Sequence, residues 1–229
     1  MIVIIGGTSG IGLETANYFH VQKKEILIGG RNKPKGTLLN YKYLDVTDEE
    51  SIKSFFEDIS EIEGLVYSAG ITTKKKNIVE FNPSTWEEII KVNVTGALLS
   101  LKYAYNKLVK AKGKVVILNS FATRTYSKFS GVEYTMSKSA LSGLVKQLSI
   151  DFAKDGVLIN SIFPSMTSGP MLIENIDQNY LNDITKDIPL GRIAKPIEVA
   201  KAIEYLISDS NTYMTGCGLD LNGGQFLDG

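Results

Sequence analysis

Ile2-Val-Ile-Ile5-Gly6-Gly-Thr-Ser-Gly10-Ile-Gly12 is the stretch whose reading decides the fold. Four consecutive β-branched apolar residues read as a strand buried on both faces, which is how strands of a parallel sheet look. The glycines that follow read as a tight turn, and a helical pattern begins beyond them. In a strand, glycine turn and helix taken in that order, the backbone can approach a pyrophosphate. The helix then offers free N–H groups and the positive end of its dipole. Glycine spacing alone is weak; its position in the first strand–helix turn is what a dinucleotide site requires. A P-loop is excluded, because no Gly-Lys-Ser/Thr follows.

Outward from that turn, apolar runs predict strands at Ile2–Ile5, Glu25–Gly29, Tyr41–Leu44, Gly64–Tyr67, Val115–Asn119, Leu158–Phe163 and Gly218–Leu221. Helical patterns fill the intervals. Asp48 and Pro83-Ser84 mark helix starts, and Pro196 sits as the first-turn proline of a helix ending near Ile207. Strands alternating with helices, with no Pro/Gly-rich linker, mean βαβ units. The expectation is one domain over residues 1–229: a single-domain Rossmann fold, a doubly wound parallel sheet of about seven strands flanked by helices.

Tyr134-Thr-Met-Ser-Lys138 sets a phenol and an ammonium on one helical face, one turn apart, where both heads can meet a shared ligand. A neighbouring cation favours phenolate over phenol, and moving a tyrosine pKa from about 10 toward 7 takes roughly 4 kcal/mol. Upstream, Gly113-Lys-Val-Val-Ile-Leu-Asn-Ser120 reads as a buried strand with a hydroxyl at its carboxyl end. Ligands of open parallel sheets bind off such ends.

The chain has 229 residues, 43% hydrophobic, with 25 basic and 25 acidic side chains, so nothing points to nucleic acid. No apolar run approaches the roughly 18 residues of a membrane span. With the first strand at Ile2 no signal peptide is read, and the expected address is cytoplasmic. Cys217 is the only cysteine, which excludes an internal disulfide and a cysteine-cluster metal site. His20, the only histidine, lies on the first helix far in sequence from the other candidates and reads as structural; no metal site is expected. Lys74-Lys-Lys76 reads as a solvated loop.

Taken together these motifs resemble the short-chain dehydrogenase/reductase family over essentially the whole chain, most closely its bacterial 3-oxoacyl-carrier-protein reductases. Gly6, Gly10 and Gly12 match the glycine turn, and Asp45-Val46 the pair that contacts adenine. Asn93, Ser120, Tyr134 and Lys138 match the catalytic tetrad. Ile188–Arg192, Lys195–Ala200 and Thr215–Gly224 match the carboxyl-terminal signature. The resemblance implies a cofactor site made by Gly6, Thr8, Ser9, Gly10, Ile11, Gly12, Arg31, Asp45, Val46, Ala69, Gly70, Tyr134, Lys138, Pro164 and Thr167. It implies that Ser120 holds the substrate oxygen, Tyr134 exchanges its proton, Lys138 lowers the phenol pKa and binds the ribose, and Asn93 holds a water that links Lys138 to solvent. It also implies a homo-oligomer, tetramer or dimer, with Phe226 and Leu227 as candidate anchors.

Several positions depart from the family. Tyr67-Ser68 stands where Asn-Asn is usual and Ile5 where threonine is, changes expected to act on stability and strand spacing and, at Tyr67, on the cofactor cleft. Ser165 replaces a glycine, and Gly169 falls where a threonine usually holds the carboxamide, leaving Thr167 or Ser168 to substitute. Gly30 occupies the place where NAD enzymes carry an acid for the ribose 2′-hydroxyl, and Arg31 follows, suited to a 2′-phosphate. NADP(H) is therefore favoured, with NAD(H) possible. The substrate is expected to be a small-molecule carbonyl or alcohol, with a 3-oxoacyl thioester, a small ketone or alcohol, and a sugar-like polyol all open. Met171, Leu172 and Ile173 give its wall an apolar character, and Glu174, Asp177 and Asp183 an acidic one. Arg124 and Lys128 are read as solvated. An NAD-dependent alcohol or sugar dehydrogenase is the alternative enzyme. A non-catalytic dinucleotide-binding sensor or scaffold is the alternative class, but it has no use for the four tetrad residues.

Overall fold

The computed structural model describes residues 1–175 and 185–227. Its elements run β1 (Ile2–Ile5), α1 (Gly10–Val21), β2 (Ile26–Gly30), β3 (Asn40–Tyr43), α2 (Glu49–Glu57), β4 (Gly64–Tyr67) and α3 (Pro83–Ile90). A five-residue π turn, Lys91–Thr95, then leads into α4 (Gly96–Ala111), β5 (Lys114–Leu118), α5 (Val132–Ala153), β6 (Leu158–Pro164), α6 (Pro170–Asn175), α7 (Pro196–Ile207) and β7 (Gly218–Leu221). All seven strands lie within a residue of the boundaries read from the sequence.

The strands form one parallel sheet in the order β3-β2-β1-β4-β5-β6-β7. Chain direction across the sheet reverses between β1 and β4, and a crevice opens there beyond the strands' carboxyl ends. Register fixes which ends meet: Ile5 stands opposite both Gly29 and Tyr67.

Alternate residues of each central strand serve opposite helical layers. Val3, Ile5, Leu65, Tyr67, Val115 and Ile117 pack with α2, α4 and α5, whereas Ile2, Ile4, Val66, Val116 and Ile162 pack with α1 and α7. Burial on both faces explains why these strands are continuous apolar runs rather than alternating ones. Local signals set the helix starts: the Asp48 carboxylate accepts from Glu50 N, the Asn82 side chain accepts from Ser84 N ahead of Pro83, and Pro196 opens α7. Arg192 clamps the first turn of α7 through two bonds to Glu198, at 2.8 and 2.7 Å.

Candidate active site

The β1–α1 turn is shaped by what a side chain would strike. Gly6 has φ +76°, and a Cβ there would lie 2.5 Å from Ala69 N and 2.8 Å from Ala69 Cα. A Cβ on Gly12 would run into the Gly6 carbonyl oxygen, so turn and helix fit together only without side chains at both places. Ser9 precedes α1 in extended conformation and its side chain makes no capping bond, leaving the first-turn N–H groups of α1 for a ligand.

Above this turn opens a cleft of about 460 Å³, within the ordinary span of ligand sites, roughly 300–1,000 Å³. Gly6, Thr8, Ser9, Gly10, Ile11, Ala69, Gly70, Tyr134, Lys138, Pro164 and Thr167, all expected at the cofactor, line it. Gly12 supports the turn from behind. Arg31, Asp45 and Val46 follow the ends of β2 and β3, outside the cleft lining. Burial pushes the Asp45 carboxyl up, but bonds from the Thr47 N–H and hydroxyl, with the charges of Arg31 and Lys91, hold it below the usual range. At Gly30 a Cβ would lie 2.6 Å from Thr8 Oγ1, so Thr8 occupies the room an acidic side chain would need.

Ser120, Tyr134 and Lys138 come together at the cleft. Ser120 lies two residues beyond β5, its N–H donates 2.9 Å to Asn119 Oδ1, and its Oγ accepts from Ala122 N at 3.2 Å. The Ser120 side chain acts on the neighbouring Tyr134 phenol, drawing its pKa down against the effect of burial. Lys138, 4% exposed, donates 2.8 Å to the Leu118 carbonyl oxygen, and burial pulls its pKa from 10.5 down to about 8. Its Nζ stands 5.8 Å from the Tyr134 ring centroid.

Here the structure corrects the sequence reading. The lysine is expected to draw the phenol pKa down, yet burial pushes Tyr134 up and the neighbouring Ser120 side chain only partly opposes it. The ammonium is turned toward Leu118, so the phenol is held in its protonated form.

Asn93 lies behind the cleft, fully buried in the π turn. Its Oδ1 accepts from Ile71 N at 2.8 Å, and its Nδ2 donates to Ile71 O at 3.0 Å and to Ser137 Oγ at 2.9 Å. Ser137 in turn donates 2.8 Å to the Tyr134 carbonyl. A Cβ on Gly70 would stand 3.4 Å from both Asn93 Oδ1 and Lys138 Nζ, so glycine leaves the space between those atoms open. Sequence reasoning missed Asn119, Ser137 and the Leu118 carbonyl. Each acts by hydrogen bonding, and only the strand-end position of Leu118 gave any signal.

Other expectations move as well. Tyr67, 1% exposed, faces the α4 layer and not the cleft, and Ser68 lines the cleft instead. Gly169 has φ +155°, a conformation that excludes the usual threonine, while Thr167 reaches the cleft with its hydroxyl donating 3.1 Å to Ser165 O. Ser165 bonds Gln225 across the cleft. Arg124 is paired with Asp220 at 2.9 Å and stacked 3.9 Å from the Phe163 ring centroid, and Lys128 is paired with Asp187, so neither is simply solvated. Phe226 packs edge-on against Phe121 at 6.5 Å inside the protomer, and Leu227 is exposed. Met171 and Leu172 line the cleft; Ile173, Glu174, Asp177 and Asp183 lie outside the described side chains.

A family model described as enoyl-(acyl carrier protein) reductase matches residues 6–225. The chain belongs to the short-chain dehydrogenase/reductase family. It is 32% identical to the 3-oxoacyl-[acyl-carrier-protein] reductase FabG of Aquifex aeolicus (strain VF5), over 98% of this chain and 96% of that protein. Aldohexose dehydrogenase of Thermoplasma acidophilum superposes with a TM-score of 0.91 at 26% identity, covering 98% of this chain and 92% of that one. The NADP-bound structure of ElxO superposes at 0.89 and 27% identity, covering 98% and 97%. As a short-chain dehydrogenase/reductase the protein is an NAD(P)-dependent oxidoreductase. The glycine cradle and the uncapped α1 amides have the chemistry that a dinucleotide pyrophosphate requires. Among the described residues no helix is long and apolar enough to cross a membrane.

Proposed function

We propose that the protein is an NADP(H)-dependent carbonyl reductase in which Ser120, Tyr134, Lys138 and Asn93 form the catalytic group. The observation that carries this reading is the meeting of Ser120, Tyr134 and Lys138 in one cleft whose floor is a dinucleotide cradle. Nicotinamide, when bound, supplies the hydride. Ser120 orients the substrate carbonyl oxygen, and Tyr134 gives that oxygen its proton. A phenol is protonated at neutral pH, the form that reduction needs, and burial pushes Tyr134 further that way; positioned proton transfer of this kind contributes about 10²–10⁴-fold.

Lys138 returns the proton to Tyr134 and binds the cofactor ribose. Its pKa near 8 leaves it charged at neutral pH yet close enough to the operating pH to give its proton up. Asn93 Oδ1 faces Lys138 across the space left by Gly70, where a water would link the ammonium to solvent. NADP(H) is favoured because Thr8 fills the place of an acid beside Gly30 while Arg31 stays exposed for a phosphate. A protein working as a homo-oligomer in the cytoplasm fits this reading.

The test is the rate of reduced-nicotinamide loss when purified protein meets NADPH or NADH and a carbonyl panel led by an acetoacetyl thioester. NADPH loss at least tenfold faster than NADH loss supports the proposal, and the carbonyl that drives it names the substrate. No loss with any carbonyl, with NADP reduced instead by an aldohexose or another alcohol, overturns the reductive reading in favour of a dehydrogenase. Absence of both, with cofactor bound, favours a scaffold.

A further inference from the structure

The hydrogen bond from Tyr67 to Val92 joins the end of β4 to the π turn. Burial pushes the Tyr67 phenol up, keeping it a neutral donor, and its hydroxyl donates 2.6 Å to the Val92 carbonyl. In an α-helix the partner of that carbonyl is the Gly96 N–H, four residues on. Here the Gly96 N–H bonds Lys91 O instead. A side-chain hydroxyl therefore takes the carbonyl that the α register would have used, at the place where the extra residue is inserted. Gly96 makes this possible: a Cβ there would lie 2.6 Å from Tyr67 Oη and 2.8 Å from Val46 O.

Asn93 is the next residue of the turn. One residue corresponds to about 100° of rotation about a helix axis, so the register of the turn decides where Asn93 points. In the π register it reaches Ile71 through both amide atoms and Ser137 through one, and Ser137 bonds the carbonyl of Tyr134. We propose that Tyr67 is a positioning residue: by taking the Val92 carbonyl it holds the π turn in the register that aims Asn93 at Ile71 and at the Tyr134–Lys138 face of α5. The catalytic meaning of this inference rests on the reductase reading above, but the hydrogen-bond chain itself does not.

Tyr67→Phe removes the hydroxyl and keeps the ring that fills the core. In cofactor-free protein, hydrogen exchange of the Ile71 amide, which Asn93 holds, is compared with that of Val3 in the β1 core. The proposal expects Ile71 to exchange about tenfold faster relative to Val3, the equivalent of about 1.4 kcal/mol for one weakened bond. In the active enzyme kcat falls about tenfold with cofactor affinity unchanged, less than the roughly 10²-fold cost of a misplacement by about 1 Å, because Asn93 keeps its other hydrogen bonds. Adding Tyr67→Phe to Asn93→Ala then lowers kcat no further. Equal acceleration at Ile71 and Val3, an unchanged Ile71, or losses that multiply in the double variant overturn the proposal. If Tyr67→Phe does not fold, Tyr67→Met, which also lacks the hydroxyl and keeps an apolar side chain in the core, is read the same way. If the wild type reduces no carbonyl, the reductase reading has failed and the exchange comparison alone decides the positioning role.

Discussion

Removing the buried ammonium of Lys138 changes how stability responds to pH. The drop in its pKa from 10.5 to about 8 comes from burial. Below pH 8 both folded and unfolded chains hold the proton, and the folded state bears the full desolvation cost. Between about 8 and 10.5 the unfolded chain still binds the proton while the folded chain has released it, so stability rises with pH across that window. At about 1.4 kcal/mol per pH unit, the wild type gains about 2–3 kcal/mol between pH 7 and pH 10. Lys138→Met has no such group and gains none of it; Tyr134, pushed up by burial, is common to both chains and cancels. Loss of the bond to the Leu118 carbonyl offsets Lys138→Met by the same amount at every pH and leaves the difference in slope intact. Urea unfolding of both proteins at pH 7, 8, 9 and 10 measures it. A difference that stays flat within about 0.5 kcal/mol, the error of such extrapolations, refutes the buried placement of Lys138.

Other perturbations act at the cofactor. Gly12→Ala drives a methyl into the Gly6 carbonyl oxygen and is expected to raise the NADPH dissociation constant at least about tenfold, about 1.4 kcal/mol, in a fluorescence titration. Arg31→Ala is expected to weaken NADPH binding by about 1.5–3 kcal/mol, the scale of a charged hydrogen bond, while NADH binding holds. Equal weakening of both cofactors would remove Arg31 from the 2′-phosphate site. Gly30→Asp alone is expected to fail to recruit NADH in steady-state kinetics, because Thr8 Oγ1 stands 2.6 Å from the new Cβ, whereas Gly30→Asp with Thr8→Gly gains NADH activity.

The sheet was legible because its strands are short apolar runs buried on both faces, and burial pattern is a local property of sequence. Pro196, Pro83 and Asp48 marked their helices for the same reason: an N1 proline or a capping carboxylate acts within a few residues. The clustering of Ser120, Tyr134 and Lys138 was legible from strand-end position and helical spacing. The π turn was not, since the hydroxyl that takes its carbonyl belongs to Tyr67, 25 residues upstream. Nor was the direction of the Tyr134 pKa, which depends on burial and on Lys138 turning to a strand carbonyl 20 residues away. Arg124 and Lys128 looked solvated because Asp220 and Asp187, their partners, stand 96 and 59 residues on.

The central claim is that the Tyr134 hydroxyl moves the proton of a hydride-transfer reaction, and Tyr134→Phe tests it most directly. With the best carbonyl of the panel and saturating NADPH, kcat is expected to fall about 10²–10⁴-fold while the NADPH dissociation constant changes less than about twofold. Turnover by Tyr134→Phe at the wild-type rate would contradict the account.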